Sequence, residues 1–417
     1  AGGVIGGHYF AAVEGSTNAV TFDMGGTSCD VGVIDGGGYR SVPQISLDWG
    51  IHVIAPHIDF TTIGAGGGSI AHVGQDGLLK VGPQSAGAEP GPACYGKGGT
   101  EPTVTDANVV LGYLPPELIG GEMKLDVAAA QAAVQTIADA LRLDLNTAAA
   151  GIIDIVNETM YGALRLVSVE KGYDPRDFAL IAFGGAGPLH ANALAKLMSS
   201  WPVIIPPGPG VLCAYGDATT RVRDEASRTH IRRFGDTTAK EVIGIFKKLA
   251  NQAAKTLNAE GVPRKDQTTT FQVDIRYHGQ GLLLTVDFAL NDLEKDGLDV
   301  IGSRFDDIHK HLFTFALPED KELVNLRAVA EGKATHIEAL SVPKGGKSPS
   351  KAELARHKMF VDGKNRLGTL YDRAKLRSGN VMKGPAIVLE MDSTTVILPG
   401  HVGKVDELGN ILITPEA

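Results

Sequence analysis

Asp23-Met24-Gly25-Gly26-Thr27-Ser28-Cys29-Asp30 stands between two apolar runs, residues 19–22 and 29–34. The runs read as two strands around a glycine turn. Two glycines at a strand end expose successive backbone N–H groups, a concavity that favours phosphate oxygens. Thr27 and Ser28 add hydroxyl donors. Asp23 and Asp30 are candidates to hold a Mg²⁺ shell or to orient a water, and so are the candidate catalytic pair. The other reading is an ordinary hairpin with polar turn residues. The turn alone does not choose between them.

Two further glycine clusters follow. Ile63-Gly64-Ala65-Gly66-Gly67-Gly68-Ser69-Ile70 suits backbone that wraps closely round something, or a flexible loop. No Gly-Lys-Ser/Thr follows it, which excludes a Walker loop. Phe183-Gly184-Gly185-Ala186-Gly187-Pro188-Leu189-His190 ends a buried apolar run, residues 178–183, and opens a helix through about residue 198. Strand, glycine turn and helix in that order predict an α/β fold, with a helix N-terminus where adenosine or phosphate can pack. The spacing departs from the dinucleotide fingerprint Gly-x-Gly-x-x-Gly, and no ribose-binding acid follows.

Apolar spacing at three and four predicts helices over 128–141, 147–169 and 239–258. Residues 57–105 are rich in Gly, Pro and Ser with little helical periodicity, and a loop region this long is more often functional than idle. Near residue 262 the pattern turns to short alternating runs: 269–277, 282–288, 335–341, 386–390, 395–398 and 411–414. These predict a β-rich C-terminal domain, with 344–350 as an exposed loop or linker. The expected division is a core over 1–235, a connecting helix over 236–261 and a β-rich domain over 262–417.

Composition narrows the classes. A net charge of −9 gives no reason to expect nucleic-acid binding, which favours a basic face. Three scattered cysteines match neither a disulfide framework nor a zinc pattern and fit a reducing compartment. No run of about 18 apolar residues predicts a membrane span. The start, Ala1-Gly2-Gly3-Val4, shows no signal peptide and no initiator Met, so a fragment, a processed chain or a trimmed form is expected.

Taken together the turns resemble a known architecture. Asp23 to Asp30 looks like the second phosphate turn of the ribonuclease-H-like actin and sugar-kinase ATPase superfold, and Gly184 to Pro188 like its adenosine turn. Residues 61–69, 82–111 and 183–191 resemble the hydantoinase A / 5-oxoprolinase / acetone carboxylase β-subunit family. The second run holds Ser85-Ala86-Gly87-Ala88-Glu89-Pro90-Gly91-Pro92-Ala93-Cys94-Tyr95-Gly96. Gly384-Pro385-Ala386-Ile387-Val388-Leu389-Glu390-Met391-Asp392-Ser393 is similar to the family's C-terminal signature.

The resemblance implies an α/β ATPase core with a β-rich C-terminal domain, and ATP with Mg²⁺ as cofactors. It implies that Asp23, Gly25, Gly26, Thr27 and Ser28 hold phosphates, with Asp23 reaching Mg²⁺ through the nucleotide, and that Gly66, Gly67 and Gly68 bind the cofactor as well. Gly184, Gly185 and Gly187 would pack the adenosine. The implied activity is ATP-dependent hydrolysis of a cyclic amide such as hydantoin or 5-oxoproline. The alternatives are the β subunit of an ATP-dependent ketone carboxylase, and a non-catalytic fragment or partner-binding module. A cytoplasmic hetro-complex with a second, B-type subunit or fused half is expected, and neither nucleic acid nor membrane as partner. Family members usually carry a preceding domain with its own Asp-x-Gly-Gly-Thr turn. Ala1 to Val4 resembles the end of the run that follows that domain, so two of three nucleotide contacts are expected here.

Single residues have two readings each. His190 can touch a ligand or pack. Cys94 can be a nucleophile or a buried structural thiol. Asp106 can belong to the Gly/Pro site with Glu89 and Glu101, or cap a helix. His52, His57 and His72 match no metal spacing. Arg276-Tyr277-His278-Gly279-Gln280-Gly281 can shape a site or lie on a β-domain surface.

Overall fold

Alternation of side chains sets the first sheet. After helix α1 (Gly2–Val13), strand β1 (Ala19–Met24) turns Val20, Phe22 and Met24 to one side and Ala19 and Thr21 to the other, all buried. The computed structural model describes residues 1–42, 45–47, 51–53, 57–117, 124–333 and 341–416. The expected strand over 335–341 and the side chain of His52 lie outside the described residues. Strand β2 (Cys29–Asp35) pairs antiparallel with β1, and β3 (Phe60–Ile63) pairs with β2. Strands β4 (Ser69–Val73) and β5 (Leu79–Ser85) form their own ladder.

Three capped helices follow: α2 (Val104–Val110), α3 (Val127–Leu141) and α4 (Leu145–Val167), whose first-turn N–H groups donate to the side chains of Thr103, Asp126 and Asp144. Strand β6 (Ala179–Phe183) is buried throughout and runs parallel to β1. Helix α5 (Gly187–Met198) leads to β7 (Val203–Ile205), parallel to β6, and then to α6 (Leu212–Thr219). Helices α2 to α5 cover the Phe22 side of the sheet, while Phe10 of α1 and Leu212 of α6 cover the Ala19 side. This is a sheet with helices on both faces, the α/β arrangement.

Contacts divide the chain into two units, Ala1–Ala218 with Glu338–Ala417, and Thr219–Ile337. In the second unit β8 (Arg223–Arg233), α7 (Ala239–Ala259), β9 (Gln267–Tyr277), β10 (Leu284–Phe288), α8 (Leu290–Asp296), α9 (Asp299–Phe313) and β11 (Lys321–Gly332) follow in order. The strands make a four-stranded antiparallel sheet ordered β8-β11-β9-β10, and the three helices bury Val273, Ile275 and Leu326.

The chain then rejoins the first unit. Strands β12 (Glu353–Val361), β13 (Lys364–Asp372), β15 (Ala386–Leu389) and β16 (Thr394–Ile397) form a four-stranded sheet, after β14 (Val381–Lys383) has branched off between them. That β14, with β17 (His401–Val405) and β18 (Ile411–Pro415), extends the first sheet to the order β14-β17-β18-β7-β6-β1-β2. The stretch 262–417 is therefore β-rich as expected, but its strands belong to both units. The two units divide the chain at other points than 235 and 261: α7 packs on the second unit's sheet, and the last strands hydrogen-bond beside β7.

Candidate functional site

Parallel pairing places Asp23 opposite Phe183, so the glycine turns that leave β1 and β6 start side by side. They are joined: the Ala186 N–H donates to Met24 O at 2.9 Å. Gly184 takes φ +80°, and a Cβ there would collide with Asp23 Oδ1 and Met24 O. Only glycine fits that junction without strain. Gly187 opens α5 against Phe22 and Met24 backbone.

The turn 25–28 closes on itself through Gly25 N–H to Ser28 O at 3.0 Å. Among the described residues, no protein acceptor takes the N–H groups of Gly26, Thr27, Ser28, Gly185 or Gly187. A Cβ at Gly25 or Gly26 would meet nothing within 4 Å. Packing therefore does not demand glycine at 25 and 26, and the open space lies on their exposed side.

Gly66, Gly67 and Gly68 play a different part from the one expected. Their N–H groups donate to Ser69 Oγ at 2.9 Å, Gly25 O at 3.0 Å and Gly26 O at 2.6 Å. A Cβ on Gly66 would lie 2.6 Å from Gly26 O. The cluster wraps round the first turn and braces it from behind, with amides already taken up. Thr105 locks the brace, its N–H and hydroxyl both donating to Gly67 O at 2.8 Å.

Asp23 and Asp30 stand opposite each other on adjacent strands, so their side chains share a face. Asp30 accepts from the Thr62 hydroxyl at 2.6 Å. Asp23 accepts from the Cys213 thiol at 2.9 Å. Burial raises the Asp23 carboxyl above its ordinary value, the Cys213 hydrogen bond draws it down, and Asp30 adds a smaller upward push. Burial, then the hydrogen bond to Asp23, pushes the Cys213 thiol up to about 12.

Sequence reasoning missed two loops that complete the surroundings. Gly184 N–H donates to Pro209 O at 2.9 Å, and Gly210 N–H to Asp392 Oδ2 at 2.9 Å. Ser393 Oγ donates toward Gly184 O and Gly185 O at 3.4 and 3.3 Å. Behind them the buried Arg373 bonds Glu390 Oε1 at 3.0 Å and the carbonyls of Ile205 and Gly409 at 2.9 Å. The signals present were the run Pro206-Pro207-Gly208-Pro209-Gly210 and the acids of the C-terminal signature.

The single residues resolve mostly to structure. His190 is wholly buried: its Nδ1 donates to Asn157 Oδ1 at 2.8 Å, leaving Nε2 to face Asn108 Nδ2 at 3.4 Å. Burial lowers its pKa to about 4. Cys94 is buried, and burial with Asp106 nearby raises its thiol, so it is not an activated nucleophile. Asp106 is the third residue of α2 rather than its cap; Thr103 caps, and Asp106 accepts from Thr103, Ala93 and Cys94. Glu89 and Glu101 are exposed, and His57 and His72 join no cluster of three metal-ligating side chains among the described residues. Arg276 pairs with Glu322 at 2.7 Å and Tyr277 donates to Asp306 at 2.7 Å, both within the second unit. No helix among the described residues is long and apolar enough to cross a membrane.

A two-faced α/β sheet whose parallel strands end in joined glycine turns is the core of the actin-like ATPase and sugar-kinase fold. Acetone carboxylase, in its nucleotide-free structure, shares that fold with a TM-score of 0.79 at 24% identity, over 99% of this chain and 60% of that one. The ATP-dependent caprolactamase from Pseudomonas jessenii superposes with a TM-score of 0.90 at 33% identity, over 100% of this chain and 61% of that one. The chain belongs to the hydantoinase/oxoprolinase family: residues 1–226 match the hydantoinase/oxoprolinase domain and 235–410 its C-terminal domain. It is 34% identical to the caprolactamase subunit alpha of Pseudomonas jessenii, over 96% of this chain and 59% of that one. It is 34% identical to the acetophenone carboxylase gamma subunit of Aromatoleum aromaticum, over 95% and 56% respectively. With 5-oxoprolinase 1 of Arabidopsis thaliana it shares 31%, over 100% and 34%. The chain thus spans less than two thirds of the length of each of these relatives.

Proposed function

We propose that this chain is the nucleotide-binding part of an ATP-dependent enzyme that activates the carbonyl of a cyclic amide by phosphoryl transfer. The observation that carries the reading is the joining of two glycine turns whose N–H groups at Gly26, Thr27, Ser28, Gly185 and Gly187 have no protein acceptor among the described residues. Unpaired main-chain donors are costly unless water or a ligand meets them, and a row of them suits phosphate oxygens.

The residues fit the nucleotide. Gly25 and Gly26 leave the space that a side chain would fill, and Thr27 and Ser28 follow in the same turn with two hydroxyls. Gly184, Gly185 and Gly187 pack the adenosine end. Asp23 and Asp30 supply two carboxylates on one face, suited to a Mg²⁺ shell carried with the nucleotide. When bound, Mg²⁺ neutralises charge on the transferring phosphoryl group. The protein's own part is positioning and fixed donors.

A lactam or imide carbonyl is stabilised by resonance, and phosphorylation of its oxygen makes a better leaving group. The caprolactamase and 5-oxoprolinase relatives support this substrate class. A second reading, phosphorylation in a ketone carboxylase, is supported by equal identity to the acetophenone carboxylase subunit. In both, a further subunit or fused half completes the enzyme. ATP turnover by the whole complex with hydantoin, 5-oxoproline or caprolactam, against a ketone with bicarbonate, separates them. Turnover with neither set, and no ATP binding that Asp23→Ala removes, would leave a partner-binding module.

A further inference from the structure

We propose that Cys213 is the positioning residue for Asp23: its thiol holds one carboxylate oxygen while Gly184 confines the other, fixing the carboxylate at the mouth of the glycine turns. The inference rests on the nucleotide reading of that site and assigns a role that no glycine motif carries.

Geometry supports it from both sides. Sγ of Cys213 lies 2.9 Å from Asp23 Oδ2, a short contact suited to a charge-assisted bond in which the thiol donates. Oδ1 of the same carboxylate lies against Gly184, where even a methyl group would collide with it. Strand alternation puts Asp23 on the face of β1 covered by α1 and α6, which is why a residue of α6 meets it.

The placement of α6 depends on the opening run Gly2-Gly3-Val4-Ile5-Gly6-Gly7. A Cβ on Gly216 of α6 would strike Gly2 O and come within 2.7 Å of Gly6 N; one on Gly6 would meet Leu212 O at 2.8 Å. A Cβ on Gly3 would lie 2.5 Å from the Phe183 ring and 3.1 Å from Cys213 Sγ. Small residues let the two helix backbones touch, and that contact carries Cys213 to the end of β1. The glycines of α1 therefore act on the site at second hand, through α6.

The charged side chains round the pair are Asp30 on β2 and Asp217 on α6. Both are carboxylates that do not donate to Oδ2, and among the described residues the thiol is the side-chain donor seen on that oxygen.

Infrared spectroscopy of the full chain tests the pair without nucleotide. The wild-type minus Cys213→Ala difference isolates the S–H stretch of Cys213 from those of Cys29 and Cys94. The band is expected at the lowered frequency of a thiol bonded to a carboxylate, and to shift upward in Asp23→Asn. Calorimetric titration with Mg·ATP then tests the role: Cys213→Ala is expected to weaken binding about tenfold, with Cys213→Ser restoring most of it. An S–H band indifferent to Asp23→Asn overturns the proposal, as does a Cys213→Ala chain that binds like wild type. A shifted band in a chain that binds no nucleotide at all would sink the ATP reading and leave the thiol–carboxylate pair standing.

Discussion

Asp23 and Phe183 face each other across two parallel strands, and one residue beyond them Gly184 turns with φ +80° into the space beside the Asp23 carboxylate. The site is built from this adjacency. Neither turn is complete alone, because each supplies backbone that the other packs against.

Gly184→Ala tests the junction. The new Cβ meets Asp23 Oδ1 and Met24 O in a backbone conformation that L side chains rarely adopt. A loss of roughly 1–3 kcal/mol is expected from the strain alone. Urea unfolding should show it, together with lost nucleotide binding; wild-type stability would mean that the turn relaxes freely.

His190 makes stability depend on pH. Its folded pKa, lowered to about 4, lies below the ordinary histidine value of 6.5. Between those values the unfolded chain binds the extra proton, so stability rises with pH there and is lost as pH falls toward 4. The full effect is about 3 kcal/mol, from about 1.4 kcal/mol per pH unit. Unfolding free energies of His190→Gln should lose this slope between pH 6.5 and 4, while wild type keeps it.

Asp106 organises the Gly/Pro region. It is wholly buried and accepts from the N–H groups of Ala93, Cys94 and Thr103 and from the Thr103 hydroxyl. Asp106→Ala strands all four donors, and a destabilisation of roughly 3–5 kcal/mol is expected. Limited proteolysis should then cut within residues 86–100. Resistance equal to wild type would show the loop to be held elsewhere.

The local elements were legible. The hairpin 19–34, the buried strand before Gly184, and the helices near 128–141, 147–169 and 239–258 follow from alternation and three-four spacing, which the structure reproduces to within a few residues. Helix α1 was not read, because its glycines carry no helical pattern; they serve contact with α6. The longest strand among the described residues, Lys321–Gly332, was also missed, since burial on both faces of much of its length removes alternation. The return of 381–415 to the first sheet is a long-range pairing that no local pattern encodes. At the site, sequence marked the glycines but not Cys213 or Arg373, whose parts depend on neighbours nearly 200 residues away in one case and in the other on carbonyls of strand β7 and of the turn at Gly409. It also credited Gly66 to Gly68 with ligand contact, where hydrogen bonding assigns them to the brace.

Gly26→Ala measures the central claim most directly. Beyond its chain neighbours, no described residue lies within 4 Å of the added methyl group, so the thermal unfolding midpoint should stay at the wild-type value. The methyl group enters the space assigned to phosphate, so Mg·ATP affinity should fall at least about tenfold by calorimetric titration. Equal affinity in the variant, or a wild-type chain that takes up no nucleotide, would contradict the account.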